Sequence, residues 1–369
     1  MSCTPTPYRI SIYHNWALQL QLMKDWEDGA RLAFEEAHAQ GVIDRPVELL
    51  SRDVWGAPNG SALEVRNAMR AIVHDDRVHG MIGLAMTEDA AIIREEIGKD
   101  MQLPVLSFAA TTGFDGHYCF QTPCGTHVDE AAVMAAYVKA SGHDRMAMMH
   151  DTSFQGEDFG QALREFAASF DLSIVSSIGV NSVAPEDQIL ERLEAARDSG
   201  ADAFAYVGVG MQFKRIASAM RRMNWEPGLK ICGLTFVGAH PGFDGPEPFE
   251  GWVGLDQFHE ENDVMQAMAT AFQARFDRDG ANMWTAHGYD EGRLMAMALG
   301  RAGAATRAAI RDALETIRMV PAAVGGPGNM MSFGPHDHRA YKGDYFVIRR
   351  IVEGRNELVG APSAFFASL

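Results

Sequence analysis

Short apolar runs alternate along this chain with longer stretches whose apolar residues recur every three or four positions. Residues 47–50 read as a strand, and the turn-rich segment 53–60 follows. A helix comes next, with Ala62, Val65, Met69 and Ile72 on one face. Residues 78–83 form a short buried strand, and Thr87, Glu88 and Asp89 open another helix. Residues 103–108 give a third strand, ending in Ala109, Ala110, Thr111 and Thr112. Strands alternating with amphipathic helices predict a parallel sheet covered on both faces. Such sheets bind ligands at the carboxyl ends of their strands, where both Thr87 and Thr111 fall.

The alternation starts again after Pro123. A helix over 128–140 leads to a strand at 145–151, and the helix 156–170 carries Phe159, Leu163, Phe166 and Phe170 on one face. A strand at 172–175 and a helix at 189–198 follow. Next come the strand 203–207, the turn Gly208, Val209, Gly210, the helix 211–223 and the strand 230–233. After a loop rich in Gly, Pro and acidic residues, 252–255 reads as a strand. Helices at 264–276, 284–299 and 306–316 have no strands between them, which predicts that they return to cover the first lobe. A turn at 330–333 and a late strand at 345–348 complete the pattern. The fold class is therefore α/β, with two lobes whose strand ends face a cleft.

With 369 residues the chain exceeds the size at which one core stops growing. A formal charge of −17 argues against nucleic acid and anionic membrane surfaces as partners. No run of about 18 apolar residues marks a membrane span. The first residues lack the basic and apolar regions of a signal peptide, so the expected location is either the periplasm, as a mature chain, or the cytoplasm. Cys3 is either the lipid-bearing residue of a trimmed lipoprotein or a thiol in a tail. Cys119 and Cys124 are close enough in sequence to form a small disulfide loop in an oxidising compartment. No Cys/His spacing fits zinc, and no cofactor is expected.

Candidate chemistry gathers at the strand ends. Thr87 is the expected helix N-cap, with Glu88 and Asp89 complementing the helix dipole. Its hydroxyl and the free amides there suit a ligand oxygen. Thr111 and Thr112 follow small residues that let a ligand approach the backbone. Trp16 and the apolar segment Leu18, Leu20, Leu22 and Met23 follow the first strand. With Phe154, Met211 and Phe236 they suit a ligand with an apolar or aromatic body and one polar end. Other pairings carry less. His150 and Asp151 read as a strand end rather than a dyad. His336, Asp337 and His338 form at most a weak metal clip. His287 and Tyr289 read as packing residues. Nucleophile-elbow, P-loop, dinucleotide and zinc-protease motifs are missing, so an enzyme is not expected.

In order and spacing these stations resemble the type I periplasmic solute-binding proteins, in particular the branched-chain amino acid and amide binding group. They include Gly29 and Ala30 in the first helix, Asp53 in a loop, and Thr87 after the strand at 78–83. The stretch from Pro104 to Thr111, the Gly208 and Gly233 turns, Tyr289 and Asp290, and Gly328 with Phe333 complete the set. The resemblance spans residues 8–359. It implies two Rossmann-like lobes joined by a three-strand hinge. Lobe 1 would be 8–123 and 260–331, and lobe 2 would be 124–256 and 335–369. Crossovers would fall near 123–127, 256–259 and 332–335. It also implies ligand contacts from Thr87, Ala109, Ala110 and Thr111, and from Phe154 or Gln155, Gly210 or Met211, and Thr235.

The departures from the family pattern bear on the ligand. Thr235 stands where amino-acid binders carry the carboxylate that holds the ligand ammonium. Tyrosines expected near Gln155 and Gly210 are missing, and Glu88 replaces a small hydroxyl residue. Glu88 is an alternative partner for a cation. The function implied is capture of a small solute and its delivery to the permease of an ABC importer. The alternative is a cytoplasmic ligand sensor of the amide-responsive type, whose partner is a regulator protein.

Overall fold

The structure, a computed structural model, describes residues 6–15, 20–57, 60–181, 183–208, 210, 212–233 and 245–367. The chain forms two compact units, unit 1 from Met1–Cys124 and Phe258–Tyr345, and unit 2 from Gly125–Gln257 and Phe346–Leu369. It therefore passes three times from one unit to the other.

Unit 1 opens with β1 (Tyr8–Asn15), α1 (Leu20–Ala39), β2 (Val47–Val54), α2 (Ala62–His74), β3 (Gly80–Gly83), α3 (Thr87–Glu96), β4 (Val105–Ser107) and β5 (Cys119–Gln121). The sheet order is β2-β1-β3-β4-β5, and every pair is parallel. β3 and β4 are buried along their whole length, which is why their sequences show no polar alternation.

Unit 2 contains α4 (His127–Ala140), β6 (Arg145–Asp151), α5 (Phe154–Ser169), β7 (Ser173–Val180), α6 (Glu186–Asp198), β8 (Ala203–Val207), α7 (Phe213–Arg222), β9 (Leu229–Cys232) and β10 (Trp252–Asp256). The chain then returns to unit 1 with α8 (Asp263–Phe276), α9 (Met283–Arg301), α10 (Arg307–Leu314) and the small ribbon β11 (Val320–Pro321) and β12 (Met330–Met331). It ends in unit 2 with β13 (Val347–Val352), β14 (Arg355–Gly360) and α11 (Pro362–Phe366). The larger sheet runs β14-β13-β10-β9-β8-β6-β7, parallel from β10 to β7 and antiparallel through β13 and β14. One face of it packs aromatics, with Phe213 stacked on Phe249 at 4.2 Å and edge-on to Trp252 at 5.0 Å.

Helix α9 lies on α1 at a distance only glycine permits. A Cβ on Gly288 would meet the Trp26 carbonyl oxygen at 1.9 Å, and one on Gly29 would meet that of Thr285 at 2.3 Å. These helices cover the side of the sheet on which the buried Trp26 and Phe108 rings meet at 4.8 Å.

Several expectations need correction. Residues from Leu20 onward are helical rather than loop, and Leu22 and Met23 are buried on α1. Cys119 and Cys124 are not joined in a disulfide, and burial pushes the Cys119 thiol up to about 12. The last passage between units falls at Tyr345/Phe346 instead of 332–335. Backbone bonds hold the intervening segment to unit 1, with Gln121 N–H donating to His338, Ala340 N–H to Gln121 and Ser332 N–H to Ala340, each at 2.8 Å. His338 is part of this anchor, stacked on Phe120 at 4.0 Å and paired with Glu315 at 3.1 Å. No metal-holding cluster occurs among the described residues.

Candidate functional site

In unit 1 the loops after β1, β3 and β4 leave the sheet at its carboxyl edge. β1 ends at Asn15, and Trp16 lies outside the described residues. The chain leaves β3 through Gly83 and Leu84, and Leu84 is fully buried at φ +64. A branched side chain in that region is strained and is kept only where its surroundings fix it. Here the Leu84 carbonyl accepts the Ser107 hydroxyl at 2.8 Å, which ties the β3 loop to β4.

This loop delivers Met86, rather than Thr87, to the N-cap of α3, and no side chain caps the helix. Thr87 is the first helical residue, 1% exposed, and its Oγ1 is buried without a hydrogen-bond partner. Glu88 is half-buried beside it. Asp89 does not face solvent as a dipole complement. It is fully buried and accepts from the Tyr13 hydroxyl at 2.9 Å, Asn15 Nδ2 at 2.7 Å and the Ala57 amide at 2.8 Å. Burial pushes its carboxyl above the ordinary range against these donors. Asp89 thus staples the β1 and β2 ends to α3, a role that its place next to Glu88 in sequence did not reveal.

After β4, Ala109 and Ala110 are buried. The Thr111 amide donates to the Ala109 carbonyl at 2.9 Å, and the Thr111 hydroxyl accepts from Gly113 at 3.0 Å. That hydroxyl keeps its proton for a further acceptor. A second indole lies near this loop. Trp284, on the first turn of α9, packs edge-on to Phe108 at 5.7 Å, and its buried Nε1 has no hydrogen-bond partner. Sequence reasoning missed it because the pattern there reads only as a helix face.

Unit 2 repeats the device. Asp151 ends β6, is fully buried, and accepts from the Tyr206 hydroxyl at 2.7 Å and the Gly210 amide at 3.3 Å. Gly210, at φ +94, is held where it can present backbone. Phe154 opens α5 behind the Ser153 cap and is 61% exposed, with Gln155 half-buried next to it. Met211, Thr235 and Phe236 lie outside the described residues. His150 turns Nδ1 to the Asp151 carbonyl oxygen at 3.2 Å and not to its carboxylate, an arrangement that forms no dyad. In unit 1, His287 is buried between Phe108 and Tyr341, and Tyr289 donates to Glu36 at 2.6 Å, so both are structural.

A family model described as periplasmic binding protein matches residues 18–353. The chain belongs to that family. Periplasmic binding proteins are a solute-binding class, and the two α/β units here are its type I fold. Similar solved structures include an ABC transporter substrate-binding protein from Desulfitobacterium hafniense in complex with Leu. It is 17% identical with a TM-score of 0.78, over 96% of this chain and 100% of that one. The branched-chain amino acid transporter substrate-binding protein LivJ from Streptococcus pneumoniae, in complex with isoleucine, is 18% identical with a TM-score of 0.79, over 96% and 100%. A solute-binding protein of an ABC transporter from R. palustris, in complex with benzoate, is 13% identical with a TM-score of 0.77, over 97% and 96%. No curated protein matches the chain. No helix among the described residues of this periplasmic binding protein is long and apolar enough to cross a membrane.

Proposed function

We propose that this chain is a non-enzymatic periplasmic binding protein that captures a small solute and hands it to the permease of an ABC importer. The observation that carries the reading is the Thr87 hydroxyl, buried and unpartnered at the first turn of α3. A buried hydroxyl without a partner costs free energy that a bound ligand oxygen recovers. With the Thr111 hydroxyl and the small residues Ala109 and Ala110, it forms a polar end suited to a carboxylate, amide or carbonyl. Neutral donors at a helix start hold such a group without a counter-cation.

We further propose that the ligand has an apolar or aromatic body and is not a branched-chain amino acid held through its ammonium. Thr235 is neutral, and an unpaired buried ammonium costs several kcal/mol. This fold holds isoleucine in the S. pneumoniae protein and benzoate in the R. palustris protein, so it accommodates either chemistry. The experiment is a thermal-shift panel of leucine, isoleucine, valine, aliphatic amides, benzoate and phenylacetate. A true ligand raises Tm by mass action. A rise with an aromatic acid or an amide supports the reading, and a rise with the three amino acids alone refutes the ligand class.

A further inference from the structure

His127, the first residue of α4 in unit 2, has no part in the function argued so far. It is 1% exposed, and its ring lies parallel to Phe159 at 5.6 Å. Nδ1 is 2.8 Å from Asp158 Oδ2. The His127 hydrogen bond also draws the Asp158 carboxyl below its usual range, so Asp158 is a carboxylate and can only accept. Nδ1 therefore carries the hydrogen. In the neutral ring that leaves Nε2 as a bare acceptor, turned to the opposite edge of the imidazole from Asp158. Nε2 is buried and has no hydrogen-bond partner.

The place of this nitrogen in unit 2 is defined by its neighbours. α4 runs back along the sheet to feed β6, so its first turn lies at the carboxyl edge of the strands. Gly233, just after β9, lies close to the same group. A Cβ there would meet Phe159 Cε1 at 2.7 Å and the Glu130 carboxylate at 2.5 Å. His127, Phe159 and Gly233 thus bring an imidazole, an aromatic ring and a bare backbone to the strand-end edge, where the Asp151-held Gly210 also sits.

We propose that His127 is a specificity-determining ligand contact, whose Nε2 accepts a hydrogen bond from a hydroxyl or N–H on the body of the ligand, and that Asp158 is the positioning residue that fixes its tautomer. The inference rests on the solute-binding reading above and narrows its ligand class. The solute is an apolar or aromatic acid or amide with a hydrogen-bond donor away from its carboxyl or amide end. A site built around a buried acceptor rejects the analogue that lacks the donor, because the acceptor is then left unpaired.

The test is calorimetric titration of the full chain with benzoate, 3-hydroxybenzoate and 4-hydroxybenzoate, alongside leucine as a control probe. The expected result is at least tenfold tighter binding of one hydroxylated acid than of benzoate. His127→Phe should abolish that preference, so that benzoate and both hydroxylated acids bind the variant within about twofold of one another, under about 0.5 kcal/mol. Asp158→Asn, at a half-exposed position that tolerates change, should reduce the preference several-fold by releasing the tautomer. It carries the test if His127→Phe does not fold. Equal binding of benzoate and both hydroxylated acids overturns this inference alone, and is what a buried water on Nε2 would produce. A preference that survives both variants also overturns it. Binding of leucine with no binding of any aromatic acid overturns the ligand class and this inference together, as does failure of every probe to bind.

Discussion

The Tyr13 hydroxyl donates to Asp89 at 2.9 Å in the interior of unit 1, and unit 2 carries the same relation between Tyr206 and Asp151 at 2.7 Å. In each case a tyrosine inside a strand holds a buried carboxylate, Asp89 in the first turn of α3 and Asp151 at the last residue of β6. The carboxylate then holds backbone, the Ala57 amide in one unit and the Gly210 amide in the other. The two edges are therefore rigid where a solute binder needs them to be. Burial pushes both tyrosines well above their usual range, so each remains a donor across the whole physiological interval.

Removing that donor leaves the carboxylate under-satisfied. Tyr13→Phe is expected to destabilise the protein by about 1–3 kcal/mol, the usual cost of an unpaired buried polar group. Denaturant unfolding measures it. A change under about 0.5 kcal/mol, the range of a neutral surface substitution, would mean that Asp89 finds another donor.

The contact of α1 with α9 makes a second prediction. A methyl group at Gly288 has no room against the Trp26 carbonyl. Gly288→Ala is expected to lower stability by about 2 kcal/mol or more despite alanine's better helix propensity, because overpacking outweighs it. Thermal unfolding that shows stabilisation would contradict the packing described.

Acid stability should depend on two neighbours with opposite signs. Burial pushes His287 down to about 3 from an ordinary 6.5. Its contribution is complete above the unfolded value and is lost as pH falls from 6.5 toward 3, at up to about 1.4 kcal/mol per pH unit. Asp290 is pushed up to about 6 from 3.8 by burial, so its contribution is complete below 3.8 and is lost as pH rises toward 6. Between those limits the two slopes oppose one another. His287→Gln removes one of them, and the variant should lose less stability than wild type on acidification from pH 6.5 to 4. Parallel pH profiles for the two proteins would show that His287 binds a proton in the folded state.

Glu291 accepts from Trp26 Nε1 at 2.7 Å and from the Thr122 hydroxyl at 2.6 Å, and burial pushes its carboxyl far up. Burial thus favours the neutral acid in the fold, against the two donors that favour the carboxylate. Glu291→Gln, its neutral isostere, should cost under about 1 kcal/mol, whereas Glu291→Ala should cost about 2–4 kcal/mol through the cavity and two stranded donors. Equal losses in chemical denaturation would rule out the neutral form.

Much of this architecture is legible in the sequence because the strands of parallel sheets are short and continuously apolar. Residues 78–83, 103–108 and 203–207 show this. The exceptions have physical causes. β5 is three residues, Cys119–Gln121, recruited by pairing with β4 rather than by its own pattern. β7 runs on to Val180 through Ser176, Ser177 and Gly179 because it is an edge strand with half-exposed faces. In the proposed site, Thr87 and Thr111 are marked in the sequence as hydroxyl residues at strand ends. The staple made by Asp89, the buried Trp284 Nε1 and the contact proposed for His127 depend on burial and on partners distant in the chain, and no local spacing encodes those. Thr87 itself was expected at the N-cap, and the tight Leu84 turn moves it one position into the helix.

The most direct test of the account is calorimetric titration of wild type, Thr87→Ala and Thr111→Ala with the solute that gives the largest thermal shift. Thr87→Ala is expected to weaken binding by about fivefold or more, the scale of a lost hydrogen bond of about 1 kcal/mol. Thr111→Ala should weaken it in the same direction, with the unfolding temperature of the free proteins little changed. Affinity unchanged in both variants would contradict the assignment of the strand-end edge of unit 1 as the polar anchor of the solute.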